Sequence, residues 1–308
     1  MEKHEIRNAR QNYLAKSNEI IRLARIKLTA GEMNLTGYLI SKIQADDTAL
    51  KWYTISVKDY CEICGIDYRS GKNYNQIKRV LKSLSDKSFW IINDRGEETL
   101  FRWIEKPTIN RGRGTISVKL DEDLQKYVIG LRKSGNYTQY QFLSTLPMRS
   151  AYSKRVYEIL KSYEFTGRPV VLETDYLRRV LCAEKYQSFT DFRRFILDKA
   201  KEEINAYTDI EIDWKAEKDG RKYSRVIFTI TPRDTWGRYE AMERTNSALD
   251  ADQIPGQTDI FDFIDQTPDV VAEIEQEERE QERKPKRRGR PRKVRRIPSD
   301  NPDGRKPV

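Results

Sequence analysis

Histidine occurs once in the 308-residue chain, at position 4. That scarcity excludes the metal site of nicking initiators, which hold their ion with a His-hydrophobe-His motif, whatever use the 17 tyrosines have. Cysteine is nearly absent too. Three thiols, an odd number, make no disulfide scaffold and fit a reducing compartment, so a cytoplasmic protein is expected. Cys61 and Cys64 form a Cys-x-x-Cys without a second pair or a nearby histidine, so packing rather than zinc is expected for them, and Cys182 is read the same way. No run of 18 apolar residues exists to span a bilayer, and Met1-Glu-Lys-His-Glu-Ile6 lacks the apolar centre of a secretory signal. A nucleotide-binding Gly-x-x-x-x-Gly-Lys-Ser/Thr loop is missing as well. Its nearest approach, Gly65-Ile-Asp-Tyr-Arg-Ser-Gly71-Lys72-Asn73, has one residue too many, ends in Asn and joins two helices. No catalytic signature and no cofactor motif remain.

Charge is plentiful. A third of the residues (34%) are ionic, mean hydropathy is −0.81 and the net charge is +10. Residues 245–282 carry twelve acids against one base, and residues 283–296 carry ten bases and no acid. The last twelve residues are neutral, so residues 1–244 are themselves net +11. A basic body calls for a polyanionic partner. The composition changes around Arg233, branched and aromatic residues thin out after about Ala248, and residues 234–308 are expected to be a disordered tail, too poor in apolar surface to offset ordering entropy.

The body repeats one order of elements. In the first copy the pattern predicts an amphipathic helix over 32–43, a strand over 52–57 and a short helix over 58–64 closed by Gly65. A turn over 66–71 and a second helix over 72–84 follow, and then strands over 89–92, 100–104 and 115–120. In the second copy, helix 152–163, strand 170–172 and helix 173–181, with Thr174 as a candidate cap, precede a long helix to residue 206 capped by Ser188. A hairpin over 210–230 turns at Asp219-Gly220. Helix-turn-helix plus hairpin is the winged-helix order. The expected class is therefore α+β. It has an N-terminal arm or helix (1–27), two tandem winged-helix domains (28–135 and 136–233) and the charged tail.

With Ile77, Val80, Leu81 and Leu84 inward, the first long helix turns Lys72, Asn75, Arg79 and Lys82 outward. Asn suits adenine, Arg suits guanine and Lys suits phosphate. In the second, Phe192, Ile196 and Ala200 inward leave Gln187, Asp191, Arg194, Asp198 and Asn205 outward. DNA contacts are expected in its first turns, from Lys185, Gln187, Ser188, Thr190, Arg193 and Arg194, because the second half carries Glu202 and Glu203. Arg111 and Arg113 in one loop, and Lys218, Arg221 and Lys222 in the other, could straddle the backbone. Each charge could equally be a solvated surface.

Several segments resemble one family: Ile55-Ser-Val-Lys-Asp-Tyr-Cys61, Glu98-Thr-Leu-Phe-Arg-Trp-Ile104, Ser153-Lys-Arg-Val-Tyr-Glu-Ile-Leu-Lys161, Ser188-Phe-Thr-Asp-Phe-Arg-Arg-Phe-Ile-Leu197 and Ile204-Asn-Ala-Tyr-Thr-Asp-Ile-Glu-Ile212 with Gly220-Arg-Lys222 and Val226-Ile-Phe228. They are similar to the iteron-binding plasmid replication initiators with tandem winged helices, over residues 28–230. The resemblance implies a non-enzymatic protein that binds directly repeated origin DNA, recruits host helicase or initiator proteins, and exchanges between monomers and promoter-repressing dimers. It also implies base contacts at Ser188 to Arg194. A winged-helix repressor without an origin would share these surface features.

Two tail motifs stand outside that resemblance. Arg288-Gly289-Arg290-Pro291 is similar to the core of an AT-hook, in which glycine lets arginines lie deep in a narrow A·T minor groove. Gln257-Thr-Asp259-Ile260-Phe261 is similar to the short peptide that docks on the bacterial sliding clamp, with Ile in place of Leu.

Overall fold

The computed structural model describes residues 1–250 except 67, 69–72, 93 and 94, and these fall in one compact unit. The AT-hook-like and clamp-binding-like motifs and most of both charge blocks lie outside the described residues.

Residues 1–27, expected as an arm or helix, begin with a helix exposed over its first turn and contribute much of the rest of their length to the core. Helix α1 (Lys3–Gln11) leads into strand β1 (Tyr13–Ser17) and helix α2 (Asn18–Leu23), capped by Ser17. Leu14, Ile20 and Ile21 are buried. Helix α3 (Ala30–Ile40) begins at a Thr29/Glu32 capping box. It is buried along its whole length rather than on one stripe. Its polar residues have partners inside: Glu32 accepts from Lys87 Nζ at 2.7 Å, and Asn34 Oδ1 accepts from Lys154 Nζ at 2.7 Å. Only such pairing makes a polar side chain tolerable there.

Strand β2 (Tyr53–Ser56), helix α4 (Val57–Cys64) and helix α5 (Asn73–Asp86) form the first helix-turn-helix. Gly65 ends α4 in the left-handed region at φ 67°, a conformation glycine adopts without steric penalty. Cys61 and Cys64 are buried in α4. Strands β3 (Ser88–Ile92) and β4 (Glu98–Arg102) form one hairpin, and β5 (Thr108–Asn110) and β6 (Thr115–Val118) form another. The sequence pattern missed β5, a three-residue strand inside a charged loop. Sheet order identifies the wing: β2 pairs with β6, which pairs with β5, whereas β3–β4 is a separate two-stranded sheet. The β3–β4 hairpin is therefore an insertion between α5 and the wing, and the wing loop is the one carrying Arg111 and Arg113. Its inner face carries Phe89 and Phe101, and Phe89 stacks on Trp103 at 4.3 Å.

Short helices α6 (Gln125–Val128) and α7 (Leu131–Ser134) lead to β7 (Tyr137–Gln141), which pairs antiparallel with β1. Helix α8 (Ala151–Lys161) follows, capped by Ser150. Val156, Ile159 and Leu160 point inward, and so do three charged neighbours. Glu158 accepts from Lys16 Nζ (2.6 Å), Arg155 Nη1 (2.7 Å) and Tyr140 Oη (2.5 Å). Burial alone would raise its carboxyl. Lys16 and Arg155 outweigh burial and hold it at about 2.

The second copy repeats the first in sheet order. Strand β8 (Val170–Glu173) precedes α9 (Thr174–Val180), and the long helix comprises α10 (Phe189–Phe192), a π turn over Arg193–Leu197 and α11 (Asp198–Tyr207). Strands β9 (Ile210–Asp219) and β10 (Lys222–Pro232) then close a sheet in the order β8–β10–β9. Thr174 is the first helical residue of α9 rather than its cap, and its hydroxyl is buried. Residues 235–250, expected within the disordered tail, form helix α12 (Thr235–Asp250). Ala241, Thr245, Asn246 and Leu249 are buried beneath it. Asp250 meets the guanidinium of Arg10, which is 1% exposed, at 2.7 Å, so the two ends of the described chain clasp each other.

Candidate nucleic-acid interface

In the first domain α5 buries Ile77, Val80, Leu81 and Leu84, as its periodicity requires. Asn75, Lys78 and Lys82 are exposed and Arg79 is half-buried. Lys72 lies outside the described residues. Lys78 was missed, although it stands three residues after Asn75 and four before Lys82, on the same helical face. Lys82 also reaches Asp86 at 2.9 Å. Both side chains are well exposed, so this pair contributes little stability and can yield to phosphate. Arg111 and Arg113 sit at the tip of the β5–β6 wing and are exposed. Asn110 Oδ1 accepts from the Arg113 backbone N–H at 3.0 Å, which folds the tip.

The second domain positions its residues more tightly. Ser188 Oγ accepts from the Thr190 backbone N–H at 3.2 Å, the expected cap. Arg178 of α9 donates to the Gln187 carbonyl at 3.0 Å, tying the turn to the preceding helix. Phe192, Ile196 and Ala200 are fully buried, while Lys185, Gln187, Thr190, Arg193 and Arg194 are exposed. The wing is fixed to the helix by an aromatic stack. Phe189 lies 4.1 Å from Tyr223, with Lys218 Nζ 4.7 Å above the Tyr223 ring. Lys222 is paired with Asp175 at 2.7 Å, which ties the wing to α9. The turn residues are Gly220, at φ 61°, and the exposed Arg221, not the expected Asp219-Gly220, because Asp219 still belongs to β9, so glycine occupies the first turn position.

Three details differ from the sequence expectation. Asn205 does not face outward: its amide accepts from the Ile212 N–H at 2.7 Å and donates to the Ile212 carbonyl at 3.0 Å, joining α11 to β9. Glu203 is not a surface acid. It is buried and accepts from the backbone N–H groups of Arg149 and Ser150 at the start of α8. The π turn was not legible either. It explains why Arg193 and Asp198, five residues apart, pair at 3.1 Å, since a π turn closes on the fifth residue.

Two family models match this chain: an initiator replication protein first winged-helix domain over residues 13–161, and an initiator replication protein second winged-helix domain over residues 173–230. The chain belongs to the tandem winged-helix replication initiators. The first model begins at β1, in keeping with the packed N-terminal segment. Among curated relatives, the PI protein of Escherichia coli is 26% identical over 148 residues, and the match covers 43% of this chain and 48% of that protein. The matched region is thus about half the length of that relative. Among solved structures, a Pi initiator protein in complex with iteron DNA superposes with a TM-score of 0.62 at 20% identity, covering 73% of this chain and 99% of that one. At that identity the likeness speaks for the fold. No described helix is long and apolar enough to cross a membrane.

Proposed function

We propose that the chain is a plasmid replication initiator that binds directly repeated origin sites through both winged helices and recruits host replication proteins without a catalytic step of its own. The observation that carries this is the twofold use of one topology. Each copy offers an exposed polar helix face, with Asn75, Lys78 and Lys82 in one and Thr190, Arg193 and Arg194 in the other, beside a wing tipped with arginine. One such unit reads one groove segment, whereas two in tandem read a longer asymmetric site, which suits direct repeats. Arg193, Arg194 and Asn75 would meet bases. Lys72, Lys78, Lys82, Lys185, Arg111, Arg113, Lys218, Arg221 and Lys222 would meet the phosphate backbone. A monomer–dimer equilibrium, A·T-rich DNA engaged by Arg288 and Arg290, and a sliding clamp engaged by Ile260 and Phe261 complete the reading.

The test is footprinting of the purified protein across the DNA flanking its own gene. Protection of several evenly spaced direct repeats, strongly weakened by Arg194→Ala, is expected. A single protected inverted repeat at the promoter would replace the initiator with a repressor. For the tail, deletion of residues 284–296 is expected to weaken binding to A·T-rich duplex more than to G·C-rich duplex.

A further inference from the structure

The reading helix of the second domain carries an aromatic ring that is held at the surface rather than buried in the core. Phe195 is 43% exposed, directly after Arg193 and Arg194, and belongs to the π turn. Within that turn Ile196 and Leu197 are both buried while Arg193, Arg194 and Phe195 are exposed in succession. The exposed part of the ring is apolar area that contact with another apolar group would remove from water.

The ring is also held. It stacks on Tyr186 at 5.4 Å with an interplanar angle of 21°, and Tyr186 meets Tyr152 of α8 edge-on at 6.0 Å. The guanidinium of Arg194 lies 4.9 Å from the Phe195 centroid. A ring already fixed in this way loses little freedom on binding, so its contact area converts efficiently into affinity. Its neighbours Arg193 and Arg194 are suited to base edges and phosphates, which leaves the ring to meet whatever apolar group the groove presents. The major groove offers one such group on its bases, the C5 methyl of thymine, and phenylalanine is among the side chains that meet it.

We propose that Phe195, steadied by Tyr186, reads thymine in the repeat through apolar contact with the C5 methyl group. This rests on the initiator reading above, in that the second domain's long helix must enter the major groove. Phe195 is then a specificity-determining residue adjoining the polar contacts of Thr190 to Arg194.

The experiment is a uracil scan. A duplex carrying one direct repeat is prepared with each thymine replaced singly by deoxyuridine, which removes the methyl group and leaves base pairing intact. Affinities are measured for the full-length wild-type chain, Phe195→Ala and Phe195→Leu. For wild type, uracil at one or two positions should weaken binding about fourfold, the effect of one buried methyl group. Phe195→Ala should bind the thymine duplex about as weakly as wild type binds the uracil one and be indifferent to uracil there. Phe195→Leu, still apolar, should keep part of the methyl dependence. Wild-type affinity unchanged by uracil at every position would overturn the assignment while leaving the initiator reading intact. So would a Phe195→Ala loss of the same size on both duplexes. Failure of the wild type to bind any repeat would overturn both.

Discussion

The clasp between Arg10 and Asp250 makes the stability of the whole body depend on residue 250. Arg10 is buried, and its guanidinium donates to the Ile63 carbonyl at 2.8 Å, the Glu62 carbonyl at 2.9 Å and Asp250 at 2.7 Å. Asp250 also accepts from Arg7 at 2.9 Å and faces Lys3 at 3.3 Å. Burial opposes ionisation of Asp250, but hydrogen bonds from Arg10 and Arg7 prevail and hold its carboxyl below the usual aspartate value. Removing one partner of a buried ion pair costs about 3–5 kcal/mol, because the surviving charge is left unpaired. Asp250→Asn keeps one carbonyl acceptor, and 13% of the native side chain is exposed, so we expect a smaller cost, about 2–3 kcal/mol. The loss cannot exceed the free energy that docks α12, since beyond that the helix leaves and water reaches Arg10.

Urea unfolding followed by tryptophan fluorescence measures the global loss, and tryptic cleavage at Arg238 and Arg244 reports release of α12. The depressed carboxyl fixes the sign of the pH effect. The clasp contributes fully above the ordinary aspartate value of 3.8 and is lost as pH falls below it, so wild type and Asp250→Asn should converge in acid. Adding Arg10→Met to Asp250→Asn should cost less than the two changes separately, with a coupling of about 1–3 kcal/mol. A change below about 0.5 kcal/mol for Asp250→Asn, with unaltered cleavage, would refute the clasp.

Three further outcomes follow from single positions. Burial lowers the ammonium of Lys154 to about 7, so between pH 7 and 10 the unfolded chain holds a proton that the folded one lacks. Stability should rise with pH in that window, approaching about 1.4 kcal/mol per pH unit, and Lys154→Met should remove that slope in urea titrations at fixed pH. At Gly65 a Cβ would stand 2.8 Å from Leu249 Cδ2 in a left-handed conformation, so Gly65→Ala should cost about 2 kcal/mol or more by thermal melting, and less in a chain ending at residue 234. Ser188→Ala removes the acceptor for the Thr190 N–H and should cost about 1 kcal/mol, with a larger loss of repeat affinity than Ser150→Ala at α8.

The elements legible in the sequence were those whose signal is local. The stripes of α5 and the long second-domain helix, the Ser188 cap, the left-handed Gly65 and the turn at Gly220 each depend on residues within a turn or two of one another. Features resting on distant partners were not legible. Asp250 reads as one more acid at the head of an acidic block, and it becomes an anchor through Arg7 and Arg10, some 240 residues away in sequence. Glu203 reads as a surface acid until the backbone of Arg149 and Ser150 is brought to it. Asn205 reads as an outward amide until β9 arrives.

The same distinction explains why the strands of the first wing could not be assigned from the pattern while those of the second could. In the second domain the strands after the reading helix are ten and eleven residues long and joined by two residues, so hairpin and wing coincide in sequence. In the first, a strong alternating hairpin, Ser88–Ile92 with Glu98–Arg102, stands directly after the reading helix, and the wing strand Thr108–Asn110 is only three residues long. Alternation measures how well a strand fits a half-buried sheet and carries no information about which strand it joins. What decides is pairing with the strand before the helix-turn-helix: Ile55 faces Ile116 in one domain and Leu172 faces Val226 in the other. That shared register places Arg111 and Arg113 where Arg221 stands in the second domain, at the tip of a wing.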